Sequence, residues 1–223
     1  NDADVDADTG DNEANNNTGD GSVDSGDAEG NVMIDNGSIF NHNTTSLSFG
    51  SGLFSLLAGN MTTGSDSDNE AEAELENEAT VVNTNTASVS NDADVELDTG
   101  DNEANNNTGD GEVDSGDADA DVAITNDLNI NETEVEWLST GDLSAGNDTT
   151  GADSDNEASV EVENTLTIVN TNSASVNNEV DVETNTGDNE SNNNTGSGST
   201  STGSSSVMFG VMNIGNGNFN ILH

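Results

Sequence analysis

The sequence predicts an all-β fold of repeat type, a β-solenoid or a stack of short strands, and three observations carry the prediction. Side chains alternate with period two: from Ala71 to Leu97 one parity holds Ala71, Ala73, Leu75, Val81, Val89, Ala93, Val95 and interspersed Asn, while the other holds Glu72, Glu74, Glu76, Glu78, Asp92, Asp94, Glu96 and Asp98. Such alternation marks strands with one face turned inward. The chain also repeats itself: NDADVDADTGDNEANNNTGDGSVDSGDAEG at 1–30 returns at 91–120 and more loosely from 178, and Thr18, Thr108 and Thr195 fall 90 and then 87 residues apart. Finally, hydrophobic types make up only 29%, with five Phe and one Trp. An interior of Ala, Val and Asn suits close walls held by backbone ladders. It is thin for the alternative fold, tandem β-sandwich domains joined by strand exchange.

Along the chain, residues 1–45 read as a partial first module, because nothing in it matches the block that precedes Asn91 and Asn178. Residues 46–63 form an apolar insertion around SLSFGSGLFSLLA. The second module, 64–131, holds the long single-parity run. Extended at ~3.3 Å per residue this run far exceeds an ordinary strand, so it is expected to bend, with Asn77, Asn83, Asn85 and Asn91 as corners between short strands. Residues 132–150 are the counterpart insertion, with Val135, Trp137, Leu138 and Leu143. Residues 151–223 are the third module, ending in the apolar VMFGVMNIGNGNFNILH. Thr-Gly and Ser-Gly pairs at Gly10, Gly19, Gly26 and their equivalents punctuate the strands as tight turns.

Composition excludes most function classes. There is no Lys or Arg against 46 Asp plus Glu, for a formal charge of -46. Without cationic side chains the chain cannot release counterions from phosphates, which removes nucleic acid and anionic membrane surfaces as partners. No apolar run is long enough to span a membrane. With no Cys there is neither disulfide nor thiolate site. The chain opens at Asn1 without Met or leader, which reads as a secreted product after signal removal, so an extracellular or cell-surface location is expected. His42 and His223 are the only histidines, and carboxylates are too many and too equivalent for any pair to stand out as catalytic, so no enzyme is expected.

The acids point instead to cations. Outward carboxylates at i, i+2 and i+4 stand about 7 Å apart along a strand, and ~4.8 Å from their equivalents on a stacked one. Hard oxygen ligands favour Ca2+. The candidate ligands are Asp8, Asp11 and Glu13, their equivalents Asp98, Asp101 and Glu103, and the pairs Asp66 with Asp68 and Asp153 with Asp155. Neither an EF-hand loop nor a nonapeptide calcium repeat fits these segments, so the alternative is a solvated acidic face. Among the N-x-S/T sequons, Asn43, Asn60, Asn131 and Asn147 are candidates for glycosylation. The apolar islands supply candidate subunit contacts: Leu53, Phe54, Leu57, Phe209, Phe219 and Leu222.

The phrases TGDNEANNNTGDG, VVNTNTASVSNDADV and SGDADADVAITNDLN resemble the Asn, Thr and Gly-rich secreted repeat proteins of candidate-phyla bacteria and archaea. In style the inward Asn and Ala are also loosely similar to curlin repeats, without the curlin Gln and Ser positions. The resemblance is one of repeat style over about two thirds of the chain, and it implies a surface or extracellular structural protein. The function expected is therefore a subunit of an extracellular filament that assembles head to tail with copies of itself, its acidic faces screened or bridged by divalent cations. The alternatives are a monomeric calcium-dependent adhesin and an acidic mineral- or ice-interacting surface protein.

Overall fold

The computed structural model describes residues 1–37, 41–49, 55–137 and 141–223. Every regular element in them is a strand, and none is a helix long and apolar enough to cross a membrane. The strands form three successive coils. The first holds β1 (Asp2–Asp8), β2 (Asn12–Glu13), β3 (Gly21–Asp24), β4 (Ala28–Asn36), β5 (His42–Phe49) and β6 (Ser55–Met61). The second holds β7 (Asp68–Asp98), β8 (Asn102–Glu103), β9 (Gly111–Asp114), β10 (Ala118–Asp127), β11 (Ile130–Trp137) and β12 (Asp142–Asp148). The third holds β13 (Asp155–Asn185), β14 (Gly198–Ser201), β15 (Ser205–Ile214) and β16 (Gly217–Leu222).

Each strand pairs in parallel with its own equivalent one coil away, giving the sheets β1-β7-β13, β4-β10-β15, β5-β11-β16, β3-β9-β14, β6-β12 and β2-β8. This is the stacked-strand, solenoid-type fold, and pairing between equivalent positions of successive repeats leaves no place for separate sandwiches. The register follows the sequence repeat. Residues of β1 and β4 meet partners 90 positions on, β5 meets β11 at 88, and β6 meets β12 at 87. From the second coil to the third the offset is 87. The extra length of the first coil therefore sits in its connections, outside the ladders. Residues 46–63 and 132–150, which stand out in sequence as insertions, carry parts of β5, β6, β11 and β12 and pair with each other.

The chain divides into two compact units, each visited once per coil. One comprises Asn1–Phe40, Ala87–Leu128 and Ala174–Gly215. Its core lies where Ala93, Val95 and Leu97 of β7 meet Val32 and Ile34 of β4 and Val122 and Ile124 of β10. Val95 and Leu97 are wholly buried, a burial that contributes roughly 1.5–3 kcal/mol for each such side chain. A second small cluster joins Val23, Ala104 and Val113. The other unit comprises Asn41–Thr86, Asn129–Ser173 and Asn216–His223. Its interior is mostly polar: Asn69, Asn83, Asn85, Asn129, Asn131 and Thr133 are buried beside Ala71, Ala73, Val81 and Val135.

The long run differs from expectation. β7 continues through Asn77, Asn83, Asn85 and Asn91 as one strand, and none of these Asn has a positive φ. They are ladder members and not corners, because a neighbouring inward amide satisfies each side chain and the backbone need not turn to do so. True corners lie elsewhere. Gly10, Gly100 and Gly187 stack with φ of 78°, 72° and 72°. A Cβ on Gly100 would lie 2.3 Å from the Gly10 carbonyl oxygen, so glycine is required there both by conformation and by the closeness of the next coil.

Candidate functional site: stacked ladders and the third coil

Inward Asn build continuous amide ladders. In the first unit Asn1, Asn36, Asn91, Asn126, Asn178 and Asn213 form a zigzag in which the Nδ2 of each of the first four donates to the Oδ1 of the next two. The distances run from 2.6 Å for Asn36 to Asn126 to 3.3 Å for Asn126 to Asn178. In the second unit Asn43, Asn85, Asn131, Asn172 and Asn218 do the same work, with Asn43 donating to Asn85 at 2.7 Å and Asn131 to Asn172 at 2.8 Å. An amide has two donors and one two-lone-pair acceptor, so a ladder of identical amides closes on itself and a polar interior costs little.

Several of the predicted metal ligands make hydrogen bonds within the chain. The Oδ1 of Asp8 accepts the N–H of Gly10 at 2.7 Å, and Asp98 accepts that of Gly100 at 2.8 Å. These are local turns. Asp11 accepts the Asp101 N–H at 2.9 Å and Asp101 accepts the Asp188 N–H at 2.6 Å, so these carboxylates tie one coil to the next. Glu103 accepts from Asn15 and Asn105, and Glu13 lies exposed on β2. Asp66 and Asp153 occupy left-handed turns at φ 55° and 57°, and Asp68 and Asp155 open β7 and β13. Among the described residues no three His, Asp or Glu side chains converge as a ligand set for a metal. The cause is geometric: strand periodicity spreads the outward acids into rows, while turn acids turn their oxygens onto backbone N–H groups.

Those rows stack acid on acid. Asp2 pairs with Asp92, Asp4 with Asp94, Asp6 with Glu96 and Asp8 with Asp98. Carrying the 87-residue offset onward brings Glu179, Asp181 and Glu183 beneath them, and Asn185 beneath Asp98, to which its Nδ2 donates at 3.3 Å. Among the described residues the ion pairs of acids with side chains are His42 with Glu132 at 3.5 Å and His223 with Glu134 at 3.4 Å. Both flank the outer face of β11.

The sequon candidates sit inside the ladders. Asn131 is wholly buried and its Nδ2 donates within the second unit's ladder. Asn43 donates to Asn85 and Asn131. Asn60 donates to the Glu70 carbonyl at 2.7 Å and Asn147 to that of Glu157 at 2.7 Å. A glycan on any of these nitrogens would break the bond that the nitrogen makes, so these four sites are set aside. Of the candidate contacts, Leu53 and Phe54 lie outside the described residues. Leu57, Phe209, Phe219 and Leu222 are exposed at 76%, 68%, 56% and 59%.

What sequence reasoning missed is the contrast between coils. Outward acids of the second coil lose their charge in the third: Glu112 pairs with Ser199, Asp119 with Ser206, Asp121 with Met208, Glu132 with Phe219 and Glu134 with Ile221. From Ser191 to His223 there is no acid at all. Inward positions change too, since Val122 is 1% exposed while its partner Phe209 is 68% exposed. The signal was present in the loose third repeat, where TGDGEVDSGDADA gives way to TGSGSTSTGSSSV. Comparison with family models, curated proteins and solved structures finds no match to this chain.

Proposed function

We propose that this protein is a structural subunit that polymerises head to tail, the third coil of one copy seating on the first coil of the next. The observation that carries the reading is the acid-free, apolar end of the third coil, from Ser191 to His223, beside its acid-rich equivalents in the first and second coils. Each sheet pairs its third-coil or last member on one side only, leaving a row of unpaired backbone groups that templates further pairing. A first coil brings Asp20, Asp24, Asp27 and Glu29. Stacked on the second coil's acids these would repel; stacked on Ser197, Ser201, Ser204 and Ser206 they do not.

Size and hydrogen bonding also match. Gly30 of the first coil lies against Leu97 of the second, where an added Cβ would come within 3.1 Å of Leu97 Cδ2. One coil on, the equivalent pair is Ala120 with Thr184, whose hydroxyl bonds Ser205. Across the seam it becomes Val207 with Ala7 of the next copy. Each pair sets a smaller side chain against a larger one with the same combined size, as close packing demands. The carboxylate of Asp188 then accepts the N–H of Asp11 from the next copy, as Asp101 accepts that of Asp188 within the chain.

The acid rows on the outside are screened by mobile cations, Ca2+ among the most effective, and monovalent salt at sufficient strength replaces it. With no Lys or Arg there is no bond for trypsin-like proteases to cleave, which suits an extracellular fibre. The test is electron microscopy of the 223-residue chain with salt, with calcium and with chelator. Regular filaments are expected, with calcium replaceable by salt. Placing carboxylates on the inward positions of the seam by Val207→Asp with Phe209→Asp should abolish them while the β-sheet spectrum stays, since both positions are exposed in the single chain. Compact particles from the unaltered chain in every condition would refute the reading, and a strict calcium requirement would refute the screening.

A further inference from the structure

We propose that the outer face of β7 and β13 within the second unit is a lateral docking surface for the same face of a second copy, so that filaments bundle side by side. The outward residues there are Thr80, Val82, Thr84 and Thr86 on β7, over Thr167, Val169, Thr171 and Ser173 on β13. The register is fixed by the inward Asn83, whose Nδ2 donates to Asn170 at 3.0 Å. None of the eight carries a charge.

In a chain of net charge -46 that absence selects the occupant. Among the described residues every other sheet face of two or three strands carries outward acids: Glu72, Glu74 and Glu76 further up β7, Asp92 and Asp94 further down it, Asp119 and Asp121 on β10, Glu132 and Glu134 on β11, Asp142 on β12, Glu112 on β9. Two copies brought together on any of these faces set acid against acid with no Lys or Arg to relieve them. Among the described residues only the Thr/Val window can meet its own image without that penalty, and it does so with acidic borders that fix where the contact ends. A contact of like with like is the isologous kind that a two-fold axis generates.

The chemistry of the window suits a dry contact. Val82 and Val169 are 63% and 45% exposed, an apolar pair stacked at the centre of the patch. The flanking Thr are β-branched and stiff, so they lose little freedom on packing. Small side chains on a regular strand pleat interdigitate as in paired sheets of stacked strands. Two rungs alone make a small patch, and head-to-tail growth multiplies it along the fibre, so lateral affinity scales with filament length. The inference goes beyond the polymer reading and can fail separately from it.

The experiment compares the unaltered chain, the variant Val82→Glu with Val169→Glu, and a control, Asn31→Asp with Thr125→Asp, which adds the same charge on β4 and β10. Low-speed pelleting and electron microscopy at moderate salt are the readouts. Expected are side-by-side bundles from the unaltered chain and the control, and single filaments from the Val variant with at least ~10-fold less pelleted protein. Bundles that survive in the Val variant, or bundling lost equally in the control, overturn the proposal. So do unaltered filaments that never associate laterally. If no filaments form, the head-to-tail reading has failed, and the contact is then read by analytical ultracentrifugation: a dimer lost only in the Val variant supports it, and a monomeric unaltered chain overturns it.

Discussion

Replacing Asn91 separates a ladder that holds the fold from one that merely decorates it. Asn91 is fully buried and makes four side-chain hydrogen bonds: its Oδ1 accepts from Asn1 at 2.8 Å and Asn36 at 2.9 Å, and its Nδ2 donates to Asn126 at 3.0 Å and Asn178 at 2.7 Å. Leu has nearly the same shape and none of the bonds. Each bond is worth ~1 kcal/mol net, so about 4 kcal/mol is lost, and the apolar burial of Leu returns ~1–2 kcal/mol. Every partner keeps one other ladder bond, so no further penalty for orphaned groups applies. Asn91→Leu should therefore cost roughly 2–3 kcal/mol, read as a shift in the urea midpoint followed by circular dichroism. Asn77→Leu is the control. Its one bond, to Asn164 at 2.8 Å, is exposed, water replaces it, and the cost stays below ~0.5 kcal/mol. Asn91→Asp adds a signature in pH. A carboxylate there faces the oxygens of Asn126 and Asn178, so its folded pKa lies above its unfolded one. Relative to the unaltered chain at the same pH, the penalty is full above the folded pKa and vanishes below the unfolded value. An Asn91→Leu chain within ~0.5 kcal/mol of the original would refute the view that buried amides, and not the apolar core alone, hold the coils together.

Three further outcomes follow from the same geometry. Gly100→Ala, with its φ of 72° and a Cβ 2.3 Å from the Gly10 oxygen, should lose more than ~3 kcal/mol in urea melts, while Gly146→Ala, where a Cβ meets nothing within 4 Å, should stay within ~0.5 kcal/mol. Thermal stability should rise with salt, because carboxylates stacked at ~4.8 Å repel by about 0.9 kcal/mol in water and the Debye length falls from ~10 Å at 0.1 M to ~3 Å at 1 M; a melting temperature indifferent to salt would mean the acid rows do not strain the fold. Asp101→Asn, which keeps an acceptor for the Asp188 N–H, should be neutral or stabilising in low salt, whereas Asp101→Ala should destabilise by ~1 kcal/mol in the same melts.

The fold was legible where the sequence repeats itself. Thr18, Thr108 and Thr195 already carry the 90 and 87 offsets that the structure turns into hydrogen bonds, Gly109 N–H to Gly19 at 3.0 Å and Gly196 N–H to Gly109 at 2.9 Å. Parity told inside from outside along β7 residue by residue. It could not tell what an inward Asn does, because the same amide that caps a turn also bonds its copy one coil away, and only stacking decides between them. The turn acids are ambiguous for a related reason. A carboxylate satisfied by backbone N–H groups and one waiting for a cation have the same letters. The sequence holds one clue: the third repeat has Asn185 where the others have Asp8 and Asp98, and a cap tolerates that exchange better than a hard-cation site does. Which strands face one another across each unit was not readable, since the connections that bring β4 and β10 against β7 follow a course the repeat does not encode.

The choice of Asn over Val or Leu for so much of the interior is a question of register. Parallel stacking with equivalents one coil apart leaves an apolar column indifferent to a two-residue slip, because Val over Val and Val over Ala bury similar surface. A two-residue slip in β7 would set Asn91 over Val176 or Val180 in place of Asn178, leaving a buried amide with no partner on that side, at about 1–3 kcal/mol for each such group. Several ladders slip together, so the penalty multiplies along the strand. A protein with no Lys or Arg, and only two His, cannot fix register along its length by ion pairs, and one with so few large side chains cannot fix it by shape. The amide ladders supply the specificity instead, and the same rule reads a second copy as readily as the next coil. Asn178 and Asn213 close the third coil as ladder acceptors, the position from which Asn1 and Asn36 of an incoming first coil would extend the zigzag in register.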